Sequence, residues 1–204
     1  MISIVNYGLG NIHAIANIYK RLNIAVSIAS TPDELRAAKR IILPGVGAFD
    51  WAMTRLNESG MRNVLEELVV SKGKPILGIC VGMQMMAHKS DEGVLKGLGW
   101  IDGEVKKFDI SAFKQRTHLP HMGWNNVIPT KSSRLFLNLD NDPLFYFLHS
   151  YYFVCSKEED VLAVTEYGEN FASTVNSDNV FGVQFHPEKS HQWGIQLLKN
   201  FGEL

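Results

Sequence analysis

The chain has 204 residues, of which 46% are apolar and 20% are charged, and its formal net charge is −1. This composition is typical of a globular domain, and a near-neutral chain without a basic run is unlike a nucleic-acid-binding protein. Its apolar runs are too short for a membrane span of about 18 residues, and its first residues do not resemble a signal peptide. We therefore expect one domain over residues 1–204, no membrane contact and a cytoplasmic location.

Short apolar runs alternate with helical patterns in the first half of the chain. The predicted strands are Ile2–Tyr7, Ala25–Ser30, Arg40–Gly45 and Lys74–Ile79. Apolar residues at helical spacing predict helices over Asn11–Leu22, from Thr31 onward and, in two pieces broken near Ser59 and Gly60, over Asp50–Ser71. Such alternation is typical of a parallel sheet that is covered by helices on both faces.

The second half of the chain changes character, because strand patterns follow one another without helices between them. Strands are predicted within residues 103–108, 124–129, 145–155 and 161–168, and two more within 171–185 flank a polar turn. A last helix is predicted over Gln192–Phe201. The predicted fold class is α/β: a doubly wound, mostly parallel sheet with helices on both faces, plus an added antiparallel strand layer in the C-terminal half.

A cysteine lies where the fourth predicted strand gives way to a helical pattern. Cys80 has Gly78 two residues before it and Gly82 two residues after it, as in the glycine–x–nucleophile–x–glycine turn. Larger flanking side chains would collide in such a turn, and the helix N-terminus favours a thiolate. The backbone N–H of Val81 would face the same point and donate to an oxyanion. The alternative is a buried structural cysteine between two packing glycines.

A thiol nucleophile needs a base, and the segment after the last predicted strand supplies one. His186 follows an apolar run directly, and Glu188 comes two residues later in the sequence FHPE. Because residues i and i+2 of an extended segment point the same way, Glu188 could hold one ring nitrogen while the other faces Cys80. The alternative is a turn at the surface, which an isolated H-P-E sequence would usually be.

A glycine loop ends the third predicted strand, next to the cysteine in a doubly wound sheet. Gly45 and Gly47 leave backbone N–H groups accessible there, and one of them would be a second oxyanion donor. Phosphate binding is the weaker interpretation, because a third glycine and a basic helix are missing. We expect no cofactor and no metal, since His118 and His121 form an H-x-x-H pair without an evident third ligand. Cys155 is interpreted as a core residue.

Three motifs together resemble the class I glutamine amidotransferases: GICVGMQ around Cys80, PGVGAF at Pro44–Phe49 and FHPEKS at Phe185–Ser190. Three more, YGLGNI, PHMGWN and HSYY, are similar to those of the HisH family, the glutaminase subunits of imidazole glycerol phosphate synthase. The resemblance runs from Met1 to the last helix. It implies that Cys80 attacks the side-chain carbonyl of glutamine, that His186 and Glu188 manage the protons, and that ammonia is released.

The resemblance also implies roles for other residues. The oxyanion hole would be formed by the backbone of Gly47 and Val81, and glutamine would contact Gln84 and the backbone around His149, Ser150 and Tyr151. The ammonia would pass to a (β/α)₈-barrel partner of the HisF type, which makes imidazole glycerol phosphate and AICAR. The family positions that face this partner match Asn11, Pro120, His121, Met122, Gly123, Trp124 and Asn125.

Three other functions stay open from the sequence. The segments after residue 190 and around residue 100 are similar to a paralogous branch, which supplies ammonia to a synthase that modifies a bacterial surface sugar. The chemistry at Cys80 would be identical there, and only the acceptor would differ. A non-catalytic binding module on the same fold is another possibility, although it would have no need for a nucleophile, a base and an orienting acid together. A peptidase-like cysteine hydrolase is the last, and Gln84 argues against it.

Overall fold

The computed structural model describes residues 1–113, 118–139 and 142–204, and within them a ten-stranded sheet and a two-stranded ribbon organise the fold. In chain order the strands are β1 (Ile2–Val5), β2 (Val26–Ala29), β3 (Arg40–Gly45), β4 (Ile76–Cys80), β5 (Gly103–Lys107), β6 (His121–Asn126), β7 (Ile128–Pro129), β8 (Leu144–His149), β9 (Tyr151–Cys155), β10 (Val161–Tyr167), β11 (Glu169–Ser177) and β12 (Val180–Val183).

Helices fill the intervals that the periodicity indicated. They are α1 (Ile12–Arg21), α2 (Pro32–Leu35), α3 (Phe49–Glu58), α4 (Arg62–Glu66), which continues as a π-helical turn (Glu67–Ser71), α5 (Val81–Gln84) and α6 (His191–Glu203). Short 3₁₀ turns lie at Ile110–Ala112, Arg134–Phe136, Glu158–Asp160 and Pro187–Lys189. In the described part of the chain, no helix has the length and apolar character needed to cross a bilayer.

The large sheet is parallel on one side and antiparallel on the other. Its main order is β2-β1-β3-β4-β12-β11-β10-β7, and all pairs from β2 to β12 are parallel. Strands β11, β10 and β7 pair antiparallel, while β9 joins β11 and carries β5. The predicted α/β class is confirmed, and most of the antiparallel strands extend the parallel sheet while β6 and β8 form the separate ribbon.

Helix α5 is much shorter than the apolar run after Cys80 predicted. It ends at Gln84, and Met85 and Met86 form a turn. The carbonyl oxygens of Met85 and Met86 accept hydrogen bonds from Leu98 and Trp100, at 2.7 and 2.9 Å, instead of continuing a helix. The run is apolar because these methionines are completely buried under that loop, so a contact far along the chain overrides the local pattern.

The predicted strand over residues 145–155 is two strands that belong to different sheets. Strand β8 pairs with β6 in the ribbon, whereas β9 pairs with β5 and β11 in the large sheet. The chain bends at Ser150 between them. This bend brings the end of the ribbon next to the large sheet and positions one wall of the site described below.

Candidate active site

Three adjacent parallel strands end at the same edge of the sheet, and each supplies part of a polar cluster. Cys80 is the last residue of β4 and pairs in register with Gly45 at the end of β3. On the other side, Val183 ends β12 opposite Ile79, and the chain reaches His186 three residues later. The carboxyl edge of a parallel sheet is where functional groups collect in this architecture, and here it joins residues more than a hundred positions apart.

The turn at Cys80 is strained, and the glycines around it are sterically required. Cys80 has φ 55° and ψ −114°, in a region that residues other than glycine rarely adopt. A Cβ atom on Gly78 would lie 2.7 Å from the backbone nitrogen of Met83, and one on Gly82 would overlap the carbonyl oxygen of Leu43. The sequence suggested that the helix dipole would favour a thiolate at Cys80. Helix α5 is only one turn long, so its dipole contributes little to stabilising a thiolate.

His186 connects Cys80 to Glu188 through its side chain. It forms a side-chain hydrogen bond with Cys80, and its Nδ1 lies 2.9 Å from Oε1 of Glu188. Burial lowers the pKa of His186, but the hydrogen bonds and charges of Cys80 and Glu188 outweigh it and raise this pKa to about 10. Burial also raises the pKa of Glu188, and the hydrogen bond and charge of His186 reverse this, so that pKa is lowered overall. The geometry therefore favours a buried imidazolium between two acceptors.

The segment that carries His186 is held by the ribbon and by α6. Its backbone N–H donates to the carbonyl of Tyr146 at 2.9 Å, and its own carbonyl accepts from Oγ of Ser190 at 2.6 Å. The same Oγ accepts from the N–H of Tyr146 at 3.0 Å, which closes a small ring of hydrogen bonds. Gly194 lies against Pro187, where a Cβ atom would overlap the proline carbonyl oxygen. The imidazole therefore projects from a tightly constrained turn.

Asn11 lies at this cluster, in the loop before α1. Its Nδ2 donates to Oε1 of Glu188 at 2.7 Å, the same oxygen that faces His186. The sequence predicted that Asn11 faces a partner, and the structure gives it an additional contact within the chain. The other oxygen of Glu188, Oε2, is buried and has no hydrogen-bond partner among the described residues.

A cavity of about 340 Å³ opens beside the cluster, a volume within the range of small-molecule sites. The predicted nucleophile, base, oxyanion and substrate residues that line it are Gly47, Cys80, Val81, Gln84, His149, Ser150, Tyr151 and His186. Asn11 and Pro120, both predicted to face a partner, also line it. The cavity therefore adjoins the surface that the sequence assigned to a partner.

Gln84 has less freedom to contact a ligand than the sequence indicated. Its Nε2 donates to the carbonyl of Tyr151 and to Oε1 of Gln184, both at 3.0 Å. Both amide hydrogens are thus used inside the protein, which leaves only Oε1 for a ligand. The predicted contact of Gln84 with glutamine would therefore be made to the α-ammonium group, because the α-carboxylate would need the amide hydrogens.

Two polar residues at this site were not selected from the sequence. Gln184 is fully buried, and its Nε2 lies 3.8 Å from Sγ of Cys80; its signal was a polar residue inside an apolar strand pattern. Glu92 lines the cavity and accepts a hydrogen bond of 2.8 Å from the backbone N–H of Phe49 through Oε2. Its sequence context is a polar turn, so nothing local distinguishes Glu92 from a surface residue.

The ribbon presents one face to the interior and the other to solvent. His121 is buried, with Nδ1 3.0 Å from Nε2 of His149 and its ring stacked on Phe147 and Tyr167. Burial lowers the pKa of His121 to about 4, and burial together with His121 lowers that of His149 to about 3. Strand alternation turns the His121 side chain inward, and its predicted place at a partner interface stays a prediction.

The outward residues of the ribbon form an exposed apolar face, defined here by Met122, Trp124 and Leu148. Their side chains are 65%, 44% and 39% exposed. Met122 and Leu148 are directly opposite each other in the antiparallel register, and Trp124 stacks on His191 with ring centroids 4.9 Å apart. Asn125 turns away from this face, because its amide donates to the carbonyl of Glu166 at 2.8 Å.

Neither His118 nor Cys155 lines this cavity. Across residues 1–113, 118–139 and 142–204, no group of three or more His, Cys, Asp and Glu side chains has the arrangement of a metal site. Cys155 is half-buried at the end of β9, where burial raises the pKa of its thiol to about 12. A thiol in such surroundings is inert at neutral pH.

Comparison with known proteins identifies the family of this chain. The family model described as glutamine amidotransferase class-I matches residues 3–203. Proteins named imidazole glycerol phosphate synthase subunit HisH are 59% identical in Bdellovibrio bacteriovorus and 52% identical in Leptospira interrogans, over 204 residues and the full length of each chain.

Solved structures show the same fold at low sequence identity. A structure described as a glutamine amidotransferase is 19% identical, with a TM-score of 0.72 and coverage of 98% of both chains. The structure of PurLQS from Thermotoga maritima is also 19% identical, with a TM-score of 0.70 over 98% of this chain and 96% of that one. The full-length family match and the high-identity relatives decide the assignment: the chain belongs to the class I glutamine amidotransferases and, within them, to the HisH family.

Proposed function

We propose that this chain is the glutaminase subunit of an imidazole glycerol phosphate synthase, and that Cys80, His186 and Glu188 carry out the hydrolysis of glutamine. The observation that carries the assignment of residues is the buried His186 ring, which contacts Cys80 on one side and Glu188 on the other. Acyl transfer to a thiol requires a nucleophile, a base beside it and an acid that orients the base, and these three residues provide that arrangement.

The proposed reaction starts with a thiolate on Cys80 and an imidazolium on His186. The Cys80 thiolate attacks the side-chain carbonyl carbon of glutamine, and the His186 imidazolium gives its proton to the amide nitrogen, so that the C–N bond breaks and ammonia leaves. The γ-glutamyl thioester remains on Cys80. Neutral His186 then accepts a proton from water, which attacks the thioester, and the C–S bond breaks to release glutamate and restore the thiolate. Glu188 keeps the ring in place and stabilises the imidazolium.

The oxyanion of both tetrahedral intermediates would be held by backbone N–H groups. Val81 follows the nucleophile directly, and Gly47 lies in the loop beyond β3, two residues after the partner of Cys80 in the sheet register. Gly47 has φ +86°, a conformation that side chains disfavour, and it lines the same cavity. These two donors follow neighbouring strands, and both would donate to the oxyanion that forms on the glutamine carbonyl.

The α-amino end of glutamine would be recognised by acceptors in the cavity wall. Glu92 contributes a carboxylate, and Gln84 contributes the oxygen that its internal hydrogen bonds leave available. Residues His149, Ser150 and Tyr151 also line this cavity, and the Tyr151 carbonyl accepts from Gln84. A free amino acid carries an ammonium group at this end, whereas a peptide substrate carries an amide, so the arrangement favours free glutamine.

The ammonia would pass to a partner of the HisF type, a (β/α)₈ barrel that makes imidazole glycerol phosphate and AICAR in histidine biosynthesis. The relatives' names describe them as subunits of this synthase, which supports a partner for this chain. The exposed apolar face of Met122, Trp124 and Leu148 lies at the rim of the cavity, since Leu148 also lines it. We place the barrel there, with residues 1–204 acting as one glutaminase domain in the cytoplasm.

The experiment is a measurement of glutamate release from glutamine by the full chain with its barrel partner and acceptor substrate. Cys80→Ser should abolish release, while Cys155→Ser should leave it unchanged. An electrophilic glutamine analogue should add to Cys80, as seen by mass spectrometry of the peptides. Full activity of Cys80→Ser, or labelling at Cys155 alone, would refute the assignment. Ammonia transfer to a surface-sugar synthase, without transfer to the histidine barrel, would instead identify the paralogous function.

A further inference from the structure

The side chain of Gln184 contacts the sulfur of Cys80 where the neighbouring strands β12 and β4 end. Gln184 directly follows β12 and is completely buried, and its backbone N–H still donates to the carbonyl of Ser173 on β11 at 2.9 Å. Its Nε2 lies 3.8 Å from Sγ of Cys80, within the range of N–H···S hydrogen bonds. A buried amide in such a position must satisfy its hydrogen bonds inside the protein.

The hydrogen-bond pattern decides which end of the Gln184 amide faces the sulfur. The carbonyl oxygen of Tyr151 can only accept, so the Gln84 atom 3.0 Å from it must be the nitrogen, Nε2. The second hydrogen of this nitrogen points to Gln184, which must therefore present its oxygen, Oε1, at 3.0 Å. The remaining end of the Gln184 amide is its NH₂ group, and this is the group that faces Cys80.

The Tyr151 carbonyl, which accepts from Gln84, is itself held in place by a hydrogen bond. Nδ1 of His149 donates to the Tyr151 carbonyl at 2.8 Å, and Nε2 of His149 lies 3.0 Å from Nδ1 of His121. Both rings are buried and neutral, so each has one donor and one acceptor nitrogen and the pair can form this hydrogen bond in only one sense. The direction of the Gln184 amide is thus decided by its hydrogen bond with Gln84 and, through Gln84, by the Tyr151 carbonyl.

We infer that Gln184 is a catalytic residue whose amide N–H donates to the Cys80 thiolate, so that the sulfur has a second donor besides His186. This inference rests on the proposed role of Cys80 as nucleophile. During amide cleavage His186 gives its proton to the leaving ammonia and becomes neutral, and it is again charged when the thiolate is restored. The amide of Gln184 cannot transfer a proton, so its hydrogen bond to sulfur is independent of the state of the imidazole.

The test is the pH dependence of Cys80 alkylation by iodoacetamide, measured on the full chain by mass spectrometry. Gln184→Met has a similar shape without a donor, and we expect alkylation at pH 6 to slow roughly 10-fold, as for loss of a hydrogen bond to a charged group. The alkylation profile should move to higher pH. With the barrel partner, kcat for glutaminase should fall while KM stays constant, because Gln184 contacts the sulfur and not the substrate.

Two further variants keep the outcome clear. Gln184→Glu retains the acceptor for Gln84 but removes the fixed NH₂ group, so it should also move the profile to higher pH even if the methionine variant folds poorly. Gln196→Met removes an amide on α6 that donates to Asn200 at 2.8 Å, and it should leave the profile unchanged. Wild-type profiles in both Gln184 variants would overturn the inference. Failure of Cys80 to be the labelled residue in the wild-type chain would instead contradict the proposed function.

Discussion

Asn11 donates a hydrogen bond of 2.7 Å to Oε1 of Glu188, across 177 positions of the sequence. The same oxygen faces Nδ1 of His186, so Asn11 and the imidazole share one acceptor. Asn11 precedes α1 and also lines the cavity rim, where the sequence predicted a partner. A contact that moved Asn11 would therefore change the hydrogen bonding of Glu188.

Replacing Asn11 should lower the rate of glutamine hydrolysis. Asn11→Ala removes one hydrogen bond to the Glu188 carboxylate, and we expect kcat to fall roughly 10-fold, because hydrogen bonds to charged groups contribute about 1.5–3 kcal/mol. Asn11→Asp should lower kcat further, since a second carboxylate beside Glu188 raises the pKa of the pair. The measurement is steady-state kinetics of the complex. Asn63→Ala, at an exposed position of α4, is the control and should behave as wild type.

A loss of partner affinity could imitate this result, so the isolated chain should be measured as well. Iodoacetamide alkylation of Cys80 does not need the barrel, and Asn11→Ala should slow it at neutral pH. Unchanged alkylation together with a lower kcat of the complex would show that Asn11 acts through the partner and not through Glu188.

Removing the charge of Glu188 should shift the alkaline limit of activity to lower pH. The carboxylate helps to raise the pKa of His186 to about 10, and cleavage needs the protonated ring as proton donor. In Glu188→Gln this pKa falls, so activity should decline at a lower pH than in the wild type. At pH 7 we expect kcat to fall by about 10²-fold, a usual size for impaired acid–base catalysis. A pH profile of kcat between 6 and 10 measures both effects.

The same pair makes a prediction about stability. The pKa of His186 rises from an ordinary value of 6.5 to about 10 in the folded chain, so its interactions stabilise the fold fully below pH 6.5. This stabilisation is lost as pH rises from 6.5 to 10. Thermal unfolding of Glu188→Gln should therefore depend less on pH over that range than unfolding of the wild type. An equal slope in both proteins would argue against the raised pKa.

Because the backbone at Cys80 is strained, we expect the variant with glycine at this position to be more stable than the variant with alanine. Cys80 has φ 55°, which costs energy for alanine but not for glycine. We expect Cys80→Gly to unfold at a higher urea concentration than Cys80→Ala, with a free-energy difference of about 1 kcal/mol. Both variants should be inactive. A more stable alanine variant would mean that the backbone relaxes when the sulfur is absent.

The exposed apolar face of the ribbon predicts where the barrel partner binds. Trp124 is 44% exposed beside Met122, and a buried tryptophan at an interface often contributes 2 kcal/mol or more. Trp124→Ala should therefore weaken the complex by ~30-fold in calorimetry, without changing the thermal unfolding of the isolated chain by more than a few degrees. Val70→Ala is the control, because Val70 is 62% exposed and lies near Asn179, at the opposite end of the parallel strands. Equal affinities of both variants would place the partner elsewhere.

Local patterns in the sequence predicted the α/β class, the strands β1 to β4 and three members of the cluster, Cys80, His186 and Glu188. These features depend on neighbouring positions: an apolar run makes a buried strand, and two glycines permit a strained turn. The pair His186 and Glu188 was also visible, because two residues in an extended segment share a side. The roles of these residues in catalysis stay predictions until the variants are measured.

The tertiary structure alone decided how these groups are connected. A loop far along the chain takes the carbonyls of Met85 and Met86 and ends α5, and the ribbon register turns His121 into the interior. The contacts of Asn11 with Glu188 and of Gln184 with Cys80 join segments that are distant in sequence. Hydrophobic periodicity reports which side of an element is buried, but it carries no information on which polar atoms meet when two elements pack.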